Sequence, residues 1–128
     1  MPRASVLSLA LVATIAIAES PVPAPIVKAL APWHPIAVQA SAGAITATLP
    51  QAAITHDMYY AAVGAVCSTL WGSPGAWGGY RVSELRIMNT HGARGFALEG
   101  DVAKICAEAG DMKPTQTRIH YAGHTRAE

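Results

Sequence analysis

The sequence predicts an α+β domain, in which two helices cover one face of a four-stranded antiparallel sheet in the β-α-β-β-α-β order of the ferredoxin-like fold. Three observations support this prediction. Four segments show the period-two alternation of strands, and two segments carry apolar residues at helical spacing. The segments follow one another in the required order. Finally, each predicted helix contains one cysteine, at positions that the antiparallel packing of the helices would bring to a similar depth.

Residues 1–18 have the composition of a secretory signal peptide. Arg3 supplies a positive charge, residues 5–18 are almost wholly apolar, and Ala16-Ile17-Ala18 fits the small-x-small cleavage pattern. The apolar run is shorter than the roughly 20 residues that span a bilayer. We therefore expect cleavage after Ala18, export to the periplasm or the exterior, and no membrane span in the exported chain.

Charge gives no indication of a polyanionic partner. Lys and Arg total 9 and Asp and Glu total 8, so removal of Arg3 with the signal peptide would leave the exported chain without net charge. A neutral chain has no electrostatic attraction for nucleic acid or for an anionic membrane. The sequence also shows no phosphate-binding, nucleophile-elbow or zinc-protease motif, and we predict no cofactor.

Residues 19–43 form a Pro/Ala-rich segment, which we interpret as an extended or disordered leader. Prolines at positions 21, 23, 25, 32 and 35 oppose a regular helix or a central strand. The leader would be a spacer or, alternatively, a docking segment anchored by Trp33.

A single α+β domain is predicted over residues 44–121. Residues 44–49 alternate as a strand, and residues 57–71 form the strongest helix, with Thr55 as its N-cap and Gly72 ending it. Gly64 inside this helix costs about 1 kcal/mol relative to Ala and suggests close approach of a neighbouring backbone. The remaining elements are a hairpin of strands 82–88 and 95–99, a helix over 101–109, a strand over 115–121 and a flexible tail over 122–128.

Cys67 and Cys106 are the two cysteines of the chain. In an oxidising compartment an even number of cysteines indicates a disulfide, and the expected position of each on an apolar helix stripe is consistent with pairing. The two lack C-x-x-C spacing, so thiol–disulfide exchange chemistry is not indicated.

The segment LWGSPGAWGGY, residues 70–80, raises the question of a binding loop. Gly72 and Pro74 serve to end the helix, and Trp71 is expected to cap the core. Trp77 and Tyr80 have no periodic reason for burial. They would be structural if packed over the disulfide end of the domain, and they would be binding residues if exposed together.

Arg86 and Arg94, on the predicted hairpin, are the other candidate binding residues. Arg86 and Glu84 share a strand face, whose default interpretation is a solvated surface with mutual pairing. Because arginine makes planar bidentate contacts, the same face is also a candidate for recognition of a carboxylate or a protein.

These patterns favour a small exported, non-catalytic domain that binds a protein or a component of the cell envelope. Two alternatives remain open. One is a small hydrolase-like enzyme using His56, Asp57 or His91 near the aromatic loop. The other is a metal-handling protein using His120 and His124, although Gly123 and the predicted strand argue against the helix that this spacing requires.

Overall fold

The structure, a computed structural model, describes residues 21–128. The predicted signal peptide, residues 1–18, lies outside the described residues. The helices are α1 Ala24–Leu30, α2 His56–Trp71, α3 Val102–Ala109 and α4 Pro114–Gly123, and a 3-10 turn, Ala31–Trp33, follows α1. The strands are β1 Ala37–Ser41, β2 Ala44–Thr48, β3 Glu84–Met88, β4 Gly95–Glu99 and β5 Thr125–Ala127.

The five strands form one mixed sheet in the order β1-β2-β3-β4-β5. The α+β class is confirmed, but the predicted four-stranded antiparallel, ferredoxin-like layout is wrong. In the ferredoxin-like order another strand separates the two strands that flank the first helix, whereas here β2 and β3 pair directly and in parallel through α2. The other three strand pairs of the sheet are antiparallel.

The N-terminal part of the domain differs from the expected leader. Within the segment expected to be extended or disordered, α1 forms and buries Ile26 and Leu30 completely. Pro25 lies in the first turn of α1, where the missing N–H costs nothing because the first amides of a helix have no partner within it. The prolines therefore lie before α1, in its first turn or after its end, where they do not prevent the helix, and β1 follows Pro35.

The C-terminal prediction is also corrected, because residues 114–123 form helix α4 where a strand was expected over 115–121. The alternation of Thr117, Ile119 and Tyr121 suggested one buried face, yet Ile119 is 73% exposed and Tyr121 only 2%. Thr117 and Tyr121 are instead related by the i, i+4 spacing of a helix. The predicted flexible tail contains β5, which pairs with β4 through Leu98 and Thr125.

One core joins the sheet to α1, α2 and α3. Ile45, Leu85 and Leu98 from the sheet are fully buried in the same cluster as Leu30 and Val63 from the helices. The disulfide between Cys67 of α2 and Cys106 of α3 is confirmed, with a Cα–Cα distance of 4.8 Å. No helix within residues 21–128 is both long and apolar enough to cross a membrane.

Candidate functional site

The aromatic loop after α2 turns its central ring inward. Trp77 is only 5% exposed, and its indole N–H donates to Oγ1 of Thr69 at 2.8 Å. Positive φ angles at Gly78 (61°) and Gly79 (80°) reverse the chain directly after it. Tyr80 is half-buried and packs against the core. The two rings are therefore not exposed together, and this geometry favours the structural interpretation of the loop.

Trp71 is the exposed aromatic residue instead. It was expected to cap the core, but 46% of it is accessible to solvent. Its indole N–H donates to the carbonyl oxygen of Cys106 at 2.7 Å, so the ring is fixed beside the disulfide. Gly110 makes room for the ring, since a Cβ there would lie 2.9 Å from Cδ1 of Trp71. Sequence periodicity places Trp71 on α2 but does not show that the ring leans outward over Gly110.

Beside Trp71 lies a groove between α2 and α4, with a volume of about 640 Å³, which we call the Trp71 groove. Its walls are the outer stripe of α2, the end of α3 with the residues that follow it, and the inner face of α4. The lining residues are Asp57, Tyr60, Ala61, Gly64, Trp71, Ala109, Gly110, Met112, Pro114, Thr117, Arg118 and Tyr121. From Asp57 to Trp71, helix α2 rises by about 21 Å. The volume lies within the range of about 300–1,000 Å³ typical of ligand pockets.

Gly64 forms part of the floor of the Trp71 groove. It was expected to mark the close approach of a neighbouring backbone, but outside its own helix turn no atom of the described residues lies within 4 Å of the position that a Cβ would occupy. A glycine inside a helix costs about 0.5–1 kcal/mol relative to Ala. Within the described structure, no close packing of a neighbouring element against Gly64 offsets this loss of helix stability. The absence of a side chain at this position leaves the groove open.

A charged pair lines the groove together with Tyr60. The guanidinium of Arg118 on α4 forms a salt bridge and a hydrogen bond with the carboxylate of Asp57 in the first turn of α2. The same guanidinium lies 4.8 Å from the centre of the Tyr60 ring, in cation–π geometry. The pair has no net charge, and its side chains remain accessible, with 53% of Arg118 and 82% of Asp57 exposed.

Two tyrosines of the domain are buried, and one of them, Tyr121, lines the Trp71 groove. Burial raises the pKa of Tyr121 to about 12, and its hydroxyl has no hydrogen-bond partner among residues 21–128. Burial also raises the pKa of Tyr59 well above its usual range, against the opposing effect of its hydrogen bond to Oγ1 of Thr125. Both hydroxyls are therefore protonated at neutral pH.

The residues of the predicted hydrolase site have other partners. Asp57 pairs with Arg118, and the ring of His56 packs against Phe96 with 4.5 Å between ring centres. His91 is exposed in the turn between β3 and β4. The carboxylate expected to assist a histidine is thus bound to a guanidinium.

His120 and His124 lie closer together than a strand would place them, because residues 114–123 form helix α4. Such proximity is a requirement for two histidines that bind one metal ion. The ring centres of His120 and His124 are 5.3 Å apart, and Nε2 of His120 lies 3.9 Å from a carboxylate oxygen of Glu108. Even so, among residues 21–128 no three His, Cys, Asp or Glu side chains are grouped so that they could hold a metal ion.

The two candidate arginines do not line the Trp71 groove. Arg86 lies on the face of the sheet away from the helices, where its Nε is 3.4 Å from Glu84 and 3.5 Å from Glu128. Arg94 is exposed in the hairpin turn, and its backbone N–H donates to Oδ1 of Asn89. Arg86 and Glu84 thus pair with each other on this sheet face, as the default interpretation of the sequence predicts.

Comparison with models of protein families, with curated proteins and with solved structures found no match to this chain. Function must therefore be argued from the geometry of the site.

Proposed function

We propose that this protein is an exported, non-catalytic binding domain that holds a component of the cell envelope in the Trp71 groove. The observation that carries this proposal is the pairing of an exposed, fixed Trp71 with the open floor at Gly64. An aromatic ring held in place before binding loses little conformational freedom when a ligand stacks on it. A disulfide and a predicted signal peptide support an exported setting.

The groove supports this role better than the aromatic loop does. Trp77 in the loop is buried and hydrogen-bonded, so it cannot contact a partner without unfolding the loop. The groove instead combines apolar and aromatic walls with a few polar groups, which is the usual composition of a ligand site.

The test is co-sedimentation of the exported chain, residues 19–128, with the isolated cell envelope of its source organism, compared with the Gly64→Leu variant. A leucine side chain at this position fills the open floor and favours the helix. We expect Gly64→Leu to lose at least about 90% of the binding, because the ligand would overlap the new side chain, while the urea midpoint stays equal or rises.

Ile119→Ala is the matched control, since Ile119 is 73% exposed on α4 and does not line the groove. Its binding should equal that of the unmodified protein. Undiminished binding by a folded Gly64→Leu variant would contradict the proposal.

A further inference from the structure

We propose that the Trp71 groove binds a neutral oligosaccharide, with one sugar ring stacked on the exposed face of Trp71. This inference rests on the proposed function and names the class of ligand. It follows from the chemical groups of the lining residues that remain free to contact a ligand.

The hydrogen-bond donor of Trp71 is occupied, which leaves the ring itself for contact with a ligand. The indole N–H is already bound to the carbonyl oxygen of Cys106, while nearly half of the residue remains exposed. The face of an indole carries partial negative charge and attracts groups with partial positive charge. The C–H bonds on one side of a pyranose ring form such a group, and they lie in a plane that matches the ring.

The charged pair of the groove favours a ligand that is polar but uncharged. Asp57 supplies carboxylate acceptors and Arg118 supplies guanidinium donors, and their charges cancel. A charged ligand would gain from one of the pair and be repelled by the other. Hydroxyl groups both donate and accept, so they can bond to both side chains without disrupting the salt bridge.

The openness of the groove argues against a wholly apolar ligand. With 82% of the Asp57 side chain and 53% of the Arg118 side chain exposed, a bound molecule keeps one side in water. An apolar molecule gains only in proportion to the area that is removed from water. A sugar, with an apolar ring face and hydroxyls around its edge, suits both the stacked and the solvated side.

An extended peptide has less to bind here. The walls are mostly helices, whose main-chain N–H and C=O groups are paired within each helix, and the remaining lining residues, Gly110 and Met112, lie in a turn and not in a strand. The groove therefore lacks the strand edge through which an extended peptide gains its main-chain hydrogen bonds.

The experiment is calorimetry combined with NMR titration of the exported chain, residues 19–128, with two neutral trisaccharides, the β-1,4-linked trimers of glucose and of N-acetylglucosamine, at millimolar concentration. Laurate serves as an apolar probe. We expect saturable binding of at least one trisaccharide, with shifts of the Trp71 indole and the Arg118 guanidinium signals. Trp71→Ala should weaken this binding about tenfold or more through loss of stacking, whereas Ile119→Ala should leave it unchanged.

Each outcome separates this inference from the proposed function. If Gly64→Leu abolishes envelope binding but neither trisaccharide perturbs the groove, the oligosaccharide assignment is wrong and the proposed function stands. Binding of laurate without binding of a trisaccharide, or trisaccharide binding that survives both Trp71→Ala and Gly64→Leu, also overturns the assignment. If envelope binding survives Gly64→Leu, the proposed function itself fails.

Discussion

The turn between β1 and β2 holds two residues in the left-handed region, Ala42 with φ 50° and Gly43 with φ 86°. This is the backbone of a tight two-residue hairpin turn, for which Asn-Gly is the preferred sequence. Glycine adopts positive φ freely, but alanine pays for it because of its Cβ. Gly43 is further confined by Ser83, whose Oγ would lie 3.0 Å from a Cβ at this position.

Replacement of Ala42 by Asn should therefore stabilise the protein. We expect Ala42→Asn to raise the free energy of unfolding by about 0.5–1 kcal/mol, because asparagine tolerates the left-handed conformation better than alanine. Urea denaturation measures the change. Ala42→Val is the control with the opposite expected effect, and it should lower the free energy of unfolding. Equal stability of all three proteins would show that the backbone is not strained at Ala42.

At the same scale, the two tryptophans around the helix end illustrate what sequence cannot predict. Periodicity and the Gly72 and Pro74 signals correctly end α2 at Trp71. The exposure of each ring depends on remote partners, Cys106 and Gly110 for Trp71 and Thr69 for Trp77. Because these contacts arise only in the folded chain, the sequence wrongly predicts that Trp71 caps the core, and it leaves open whether Trp77 is a structural or a binding residue.

At the scale of elements, β5 is held to the sheet by a charged cluster. Arg126 on β5 forms ion pairs with Glu84, Glu99 and Glu128. The hydrogen bond from Arg126, with the nearby charges of Arg126 and Arg86, lowers the pKa of Glu128. The carboxylate of Glu128 is therefore a stabilising group only while it is ionised.

The pH dependence follows from the direction of this shift. Since the pKa of Glu128 is lower in the folded than in the unfolded protein, its contribution is complete above about pH 4.3, the unfolded value, and is lost as the pH falls through the folded value. We expect Glu128→Gln to cost about 1 kcal/mol or less at pH 7 and to cost less at pH 2, where more of the Glu128 carboxylate is protonated. Urea unfolding at both pH values tests this, and an equal cost at both would contradict it.

Two helices, α1 and α4, were not predicted from the sequence. Both α1 and α4 carry a proline in the first turn, where proline is compatible with a helix. The prolines around α1 are typical of a segment without regular structure, and the alternation of Thr117, Ile119 and Tyr121 in α4 is typical of a strand. By contrast, α2 and α3 each have a side-chain cap, from Thr55 and Asp101, and both were predicted correctly.

At the scale of the whole molecule, the Cys67–Cys106 bridge closes a loop with a sequence separation of 39 and ties α2 to α3. In the chain-entropy account, such a bridge stabilises by about 4 kcal/mol, chiefly by restricting the unfolded chain. We therefore expect a non-thiol reductant to lower the urea midpoint strongly.

The control is the double variant Cys67→Ala/Cys106→Ala, which should be less stable than the oxidised protein and insensitive to the reductant. A midpoint of the unmodified protein that does not change on complete reduction would contradict the assigned contribution.

The order of the sheet was the least predictable feature. Strand patterns locate β2, β3 and β4, but they do not say which strands are neighbours. Because β1 was not predicted, the N-terminal hairpin was not predicted either. The alternation of Val38 and Ala40 before the Ala42–Gly43 turn is nevertheless a sequence signal for this strand. Without β1, a four-stranded antiparallel order was the natural inference from the remaining segments.

The direct parallel pairing of β2 with β3 has a consequence for the time course of folding. The β1–β2 and β3–β4 pairs are hairpins that close over short turns. In contrast, α2 and the loop that follows it separate β2 from β3 in the chain, so these two strands can pair only when that long connection closes. Contacts between residues far apart in the chain form slowly because the loop must close before they contribute. The two hairpins should therefore acquire protected amides first in pulsed hydrogen exchange, and the joining of the two halves of the sheet should limit the rate.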